Sequence, residues 1–96
     1  MIVSFRHKAL RKFYETGERK GLPQKLVRRV AMVLSALDVA ETVDELRSVP
    51  GWRLHALTGD LKGFWSISVS GNWRIIFRFE NGQVLDVDLL DQGQAP

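Results

Sequence analysis

The chain has 96 residues, 45% hydrophobic and 26% charged, with 8 Gly and 3 Pro, which fits one globular domain spanning 1–96. That composition excludes disorder, collagen-like repeats and low-complexity polymer. The absence of cysteine excludes disulfide scaffolds, thiolate zinc sites and cysteine nucleophiles.

The net charge of +3 hides an asymmetry. Residues 1–36 hold nine Lys and Arg against two Glu, net +7, and residues 37–96 hold five against nine acids, net −4. A +7 half is the footprint expected for a polyanion or an acidic partner, or else a solvated helical surface. No apolar run approaches the ~20 residues of a membrane span. Arg6, Lys8, Arg11 and Lys12 interrupt the first residues, so no secretory signal is expected and the cytoplasm is the default location.

Ile2-Val3-Ser4-Phe5 is short and apolar and predicts an opening strand. From His7 to Thr16, Leu10, Phe13 and Tyr14 recur at i, i+3, i+4, predicting a helix with one buried side. Gly17 and Gly21 bound a turn, and Pro23 suits the first position of a second helix running from Gln24 to Ala40. Its buried stripe is Leu26, Val30, Val33, Leu34 and Leu37, with Lys25, Arg28 and Arg29 outside it. Thr42-Val43-Asp44-Glu45 reads as a capping box opening one short helical turn.

After Gly51 the period changes to two. Strands are predicted at Arg53–Leu57, Phe64–Val69, Trp73–Phe79 and Val84–Leu90, the last two joined by an Asn81-Gly82 hairpin. In the last strand, Leu85, Val87 and Leu89 oppose Asp86 and Asp88. The order β-α-α-(short α)-β-β-β-β predicts an α+β fold, with an antiparallel-rich sheet and two helices packed on one face. The uncovered face then presents some combination of Arg53, His55, Ser66, Ser68, Arg74, Arg78, Asp86 and Asp88.

His55 is one of two histidines and the obvious general acid or base, if it is more than a strand residue with no task; His7 reads as surface. Arg74 and Arg78 share a side, about 13 Å apart at ~3.3 Å per residue. Each suits phosphate, or cross-strand pairing with Asp86 and Asp88. Asp86, Asp88 and Asp91 are spaced too widely on a flat strand to share one ion, so no metal site is expected. Trp65 and Trp73 fall in the core by parity, leaving Trp52 to stack on a base.

Three stretches resemble the HigB-type toxins of the RelE/ParE superfamily. They are Arg53-Leu54-His55-Ala56-Leu57-Thr58-Gly59-Asp60-Leu61-Lys62-Gly63-Phe64-Trp65-Ser66-Ile67, Gly71-Asn72-Trp73-Arg74-Ile75-Ile76-Phe77 and Asp86-Val87-Asp88-Leu89. The opening Ile2–Lys8 and Phe13–Gly17 resemble the start of the same family. The resemblance implies a RelE-like fold and a toxin that cleaves mRNA in the ribosomal A site without metal or cofactor. A ribose 2′-hydroxyl attacks the adjacent phosphate and leaves a 2′,3′-cyclic phosphate. It also implies a HigA-like helix-turn-helix antitoxin, held with the toxin in a hetero-oligomer.

Carried over by position, His55 is a candidate for acid–base work, Arg74 for transition-state charge, and Asp91 for the aspartate that begins the family's terminal Asp-Tyr-His. Arg53, Lys62, Arg78, Arg28 and Arg29 are candidates for RNA contact, although the helical cations equally suit an acidic antitoxin surface. The likeness departs after Asp91, where Gln92 and Gly93 stand in place of tyrosine and histidine; Thr58 replaces a lysine of many relatives. Glutamine transfers no proton at neutral pH, so the departure implies attenuated cleavage. The alternative is a non-catalytic protein on this scaffold, either a gyrase inhibitor or an antitoxin-binding co-repressor. A general RNA-binding module is the blander third.

Overall fold

The computed structural model describes residues 1–92; Gly93, singled out above, lies outside them. Helix α1 is Lys8–Thr16. His7 caps it, its Nδ1 accepting the Leu10 N–H at 3.1 Å. Gly17, at φ 81, ends it by donating its N–H to the Phe13 carbonyl at 2.8 Å. That left-handed position is one glycine enters at little cost. Leu10 is fully buried and Phe13 packs against the core.

Helix α2 is Val27–Val39, entered through a 3-10 turn at Gln24–Leu26. A single helix starting at Pro23 is therefore not what forms. Pro23 keeps an extended ψ of 123 and accepts the Leu26 N–H at 2.9 Å, and the tighter turn leaves both Leu22 and Leu26 buried. Val27, Val30, Val33, Leu34 and Leu37 form the buried side of α2. Asp38, near its end, accepts the Ile2 N–H at 3.1 Å and the Tyr14 hydroxyl at 2.8 Å. One carboxylate thus joins the chain start, α1 and α2. The Ile2 N–H holds Asp38 below the usual carboxylate range, and the bond to Asp38 pushes the Tyr14 phenol up. The capping box forms as expected at the head of a 3-10 helix, Val43–Leu46.

Four antiparallel strands follow in sequence order: β1 His55–Ala56, β2 Trp65–Ser70, β3 Trp73–Glu80 and β4 Gln83–Asp91. Residues 2–5 reach the free edge of β4 through two parallel bridges, Ile2–Val84 and Phe5–Val87, rather than as a full strand. At the β3–β4 turn, Asn81 and Gly82 both take positive φ, 51 and 77, as a type I′ hairpin requires.

Two departures from the expected pattern have backbone causes. Arg53 has φ 48, which turns the chain just before His55 and cuts β1 to two residues. Asp86 has φ 54 at a bulge where the pairing slips between Ile76 and Arg78. Before the bulge the phase is offset by one, so Val84, not Leu85, joins Val87 and Leu89 in the core. Ile67, Val69, Ile75 and Phe77 complete the sheet's share of that core, under the helices. No helix among the described residues is long and apolar enough to cross a membrane.

Candidate functional site

The register decides which side chains share the uncovered face, because directly paired residues point the same way. His55 pairs with Ser66, Ser66 with Ile76, and Ile76 with Asp88, so these four form one row across the sheet. The adjacent row is Ser68, Arg74 and Leu90. His55 and Arg74 therefore lie on the same side, away from the helices. Their Cα atoms are about 12 Å apart at ~4.8 Å per strand and ~3.3 Å per residue. His55 is exposed and Arg74 half-buried.

This face is not uniformly open. Ser66 and Ile76, in the middle of the His55 row, are 0% and 1% exposed. Alternation puts Ile76 on the same side as Arg74, yet its complete burial is not legible from alternation. The Ser66 hydroxyl has no hydrogen-bond partner among the described residues.

Arg74 leans toward the β2–β3 turn. Its Nη1 donates to Ser68 Oγ at 3.1 Å, to the Gly71 carbonyl at 2.8 Å and to the Trp73 carbonyl at 3.2 Å. Among the described residues all its bonds run through Nη1, so the rest of the guanidinium fork can meet a phosphate. Ser68 also lines a cavity of about 320 Å³ with Arg29, Met32 and Trp52. Nothing in the one-dimensional pattern joined these residues; the cavity forms because α2 passes over the end of β2.

Arg78 is differently placed. It donates to Asp86 at 2.9 Å and also pairs with Glu80, and the two carboxylates raise its pKa further, Asp86 foremost. Both belong to the sheet, so Arg78 reads as a clamp on the β4 bulge rather than a free phosphate contact. Asp88 spends Oδ1 on the Leu89 N–H at 2.9 Å.

Asp91 pairs with Trp73, which packs against the core, so by register it lies on the opposite side from His55 and Arg74. The three candidates taken together from the resemblance are not one cluster. Gln92, next along, lies past the end of β4, is exposed, and donates its N–H to the Asn72 carbonyl at 2.9 Å. Arg53 and Lys62 are exposed, flanking β1 and the connection after it. Arg28 and Arg29 stand on α2 across the sheet from His55; Arg29 Nη1 donates to the Val69 carbonyl at 3.1 Å. Among the described residues no three His, Asp or Glu side chains gather to hold a metal.

Residues 3–92 match the HigB-like toxin family, described as the RelE-like toxin of the type II toxin-antitoxin system HigB. The chain is similar to an endoribonuclease HigB of Proteus vulgaris, 46% identical over 85% of this chain and 88% of that one. It is also similar to toxin HigB-1 of Vibrio cholerae, at 37% identity over 93% and 95% of the two chains. Among solved structures, YafQ from E. coli superposes with a TM-score of 0.64 at 12% identity, covering 97% of this chain and 93% of that one. The YoeB-YefM complex from Staphylococcus aureus contains a chain superposing at 0.55 and 14% identity, covering 92% and 93%. These two share the fold.

Proposed function

The chain belongs to the HigB-like family of RelE-like toxins of type II toxin–antitoxin systems, and from that premise we propose that it is a ribosome-dependent endoribonuclease acting on mRNA through its uncovered sheet face. The observation that carries the reading is the side-sharing of His55 and Arg74, an exposed imidazole and a half-free guanidinium on one surface. In the step they suit, His55 takes the proton from a ribose 2′-hydroxyl. The 2′-oxygen bonds to phosphorus, the bond to the 5′-oxygen breaks, and that oxygen is protonated. Arg74 faces the charge that builds on the phosphoryl oxygens. The products are a 2′,3′-cyclic phosphate and a 5′-hydroxyl. Asp91 contributes from the far side by holding the end of β4 opposite Trp73. Arg53 and Lys62 guide the phosphate backbone toward the face, and the cavity beside Ser68 receives a neighbouring nucleotide.

Gln92, past the end of β4, transfers no proton at neutral pH, so the leaving oxygen draws its proton from solvent and the reaction is slow. Gln92 also favours a second reading, a non-catalytic protein on the same scaffold that binds antitoxin or gyrase. The partner in either case is an antitoxin; a HigA-like helix-turn-helix chain with an acidic segment suits Arg28 on the outer side of α2. Both would meet in the cytoplasm. Primer extension on mRNA after induction of the chain separates the readings. The nuclease gives breaks confined to translated messages, whereas intact mRNA, with or without DNA damage, overturns it.

A further inference from the structure

His55 Nδ1 lies 3.0 Å from the backbone carbonyl of Arg53, two residues earlier. A carbonyl oxygen only accepts, so the nitrogen facing it must carry a proton. In an uninterrupted strand the residue two back is roughly 6–7 Å away along the chain. Here it is brought in because Arg53 sits at φ 48, left-handed for a residue that has a Cβ. Strain at one residue and the hydrogen bond on the next exposed imidazole are thus one feature.

We propose that Arg53 is a positioning residue whose left-handed backbone fixes the tautomer of His55, keeping the neutral ring protonated on Nδ1 and turning the Nε2 lone pair to the uncovered face. This rests on the nuclease reading for its consequence but not for its geometry. A general base must offer a lone pair to the 2′-hydroxyl, and a ring free to change tautomer offers the wrong nitrogen part of the time. The Arg53 side chain contributes nothing to this effect; the backbone angle does.

The chain carries its own control. His7, the only other histidine, accepts the Leu10 N–H on Nδ1, so neutral His7 must hold its proton on Nε2. The two imidazoles are expected in opposite tautomers. Long-range ¹H–¹⁵N correlation on the full chain, about two units above the ordinary histidine pKa of ~6.5, reads all four ring nitrogens. Arg53→Gly and Arg53→Val remove the same guanidinium, yet glycine adopts the left-handed angle freely and valine resists it. Arg53→Gly is expected to keep the Nδ1–H signature of His55. Arg53→Val should lose it and cleave RNA roughly tenfold more slowly than Arg53→Gly. Unchanged His7 signals show that the valine variant remains folded; if it does not, Arg53→Ala takes its place. An Nε2–H signature for His55 in the wild-type chain overturns the proposal, as does a valine or alanine variant with the wild-type signature. A chain that shows the expected signatures but cuts no RNA refutes the nuclease reading and leaves the Arg53 assignment standing.

Discussion

His55→Ala is expected to slow mRNA cleavage by about 10²–10⁴-fold, the usual loss when a positioned proton-transfer group is removed. Stability should move by no more than about 0.5 kcal/mol. The two expectations separate chemistry from folding because His55 is exposed at a two-residue edge strand and its ring bonds to its own local backbone. Nothing in the core leans on the ring. Single-turnover cleavage on programmed ribosomes, with thermal unfolding of the same samples, measures both. A loss of less than fivefold would mean that the imidazole transfers no proton in the rate-limiting step. Arg74 and substrate positioning would then have to account for whatever rate remains.

Gln92→Tyr combined with Gly93→His is expected to act in the opposite direction, raising cleavage by about tenfold or more. The backbone at residue 92 is pinned by its N–H to the Asn72 carbonyl, two residues before Arg74 and just past the end of β4. A phenol there would bring a proton donor near the Arg74 end of the face, and a glutamine amide cannot supply one at neutral pH. Gln92→Tyr alone tests the placed position and should recover part of the gain. Growth inhibition on induction and cleavage on purified ribosomes give two independent readouts. No rise in either for the double variant would make the terminal pair irrelevant in this chain.

What alternation along the chain made legible was the large-scale assignment: the two helices, four strands, the Asn81-Gly82 hairpin and the side-sharing of His55 with Arg74. Periodicity reports burial, and burial is what these elements were built on. It is blind to single residues with positive φ that are not glycine, and the corrections to β1 and β4 came from such residues. Arg53 shortened β1 and Asp86 shifted the first part of β4, moving Val84 into the core in place of Leu85. The site suffered from the same blindness. Resemblance grouped Asp91 with His55 and Arg74, while the strand register sets it with Trp73 on the other side. Arg78 looked interchangeable with Arg74 four residues away, yet the Asp86 bulge brings a carboxylate onto it and leaves Arg74 as the arginine open to a phosphate. Burial of Ser66 and Ile76 on the nominally open face depends on neighbours across strands, which no linear pattern contains.

One measurement bears most directly on whether this face breaks a ribose–phosphate linkage by internal attack. An mRNA carrying a single 2′-deoxynucleotide on the 5′ side of the mapped break is placed in the ribosome and exposed to the wild-type chain. Cleavage at that position should disappear, while the all-ribose message yields a 2′,3′-cyclic phosphate end. Scission of the deoxy-substituted message at the same position would contradict the account, since the nucleophile assigned to His55 would then be absent and the break would still occur.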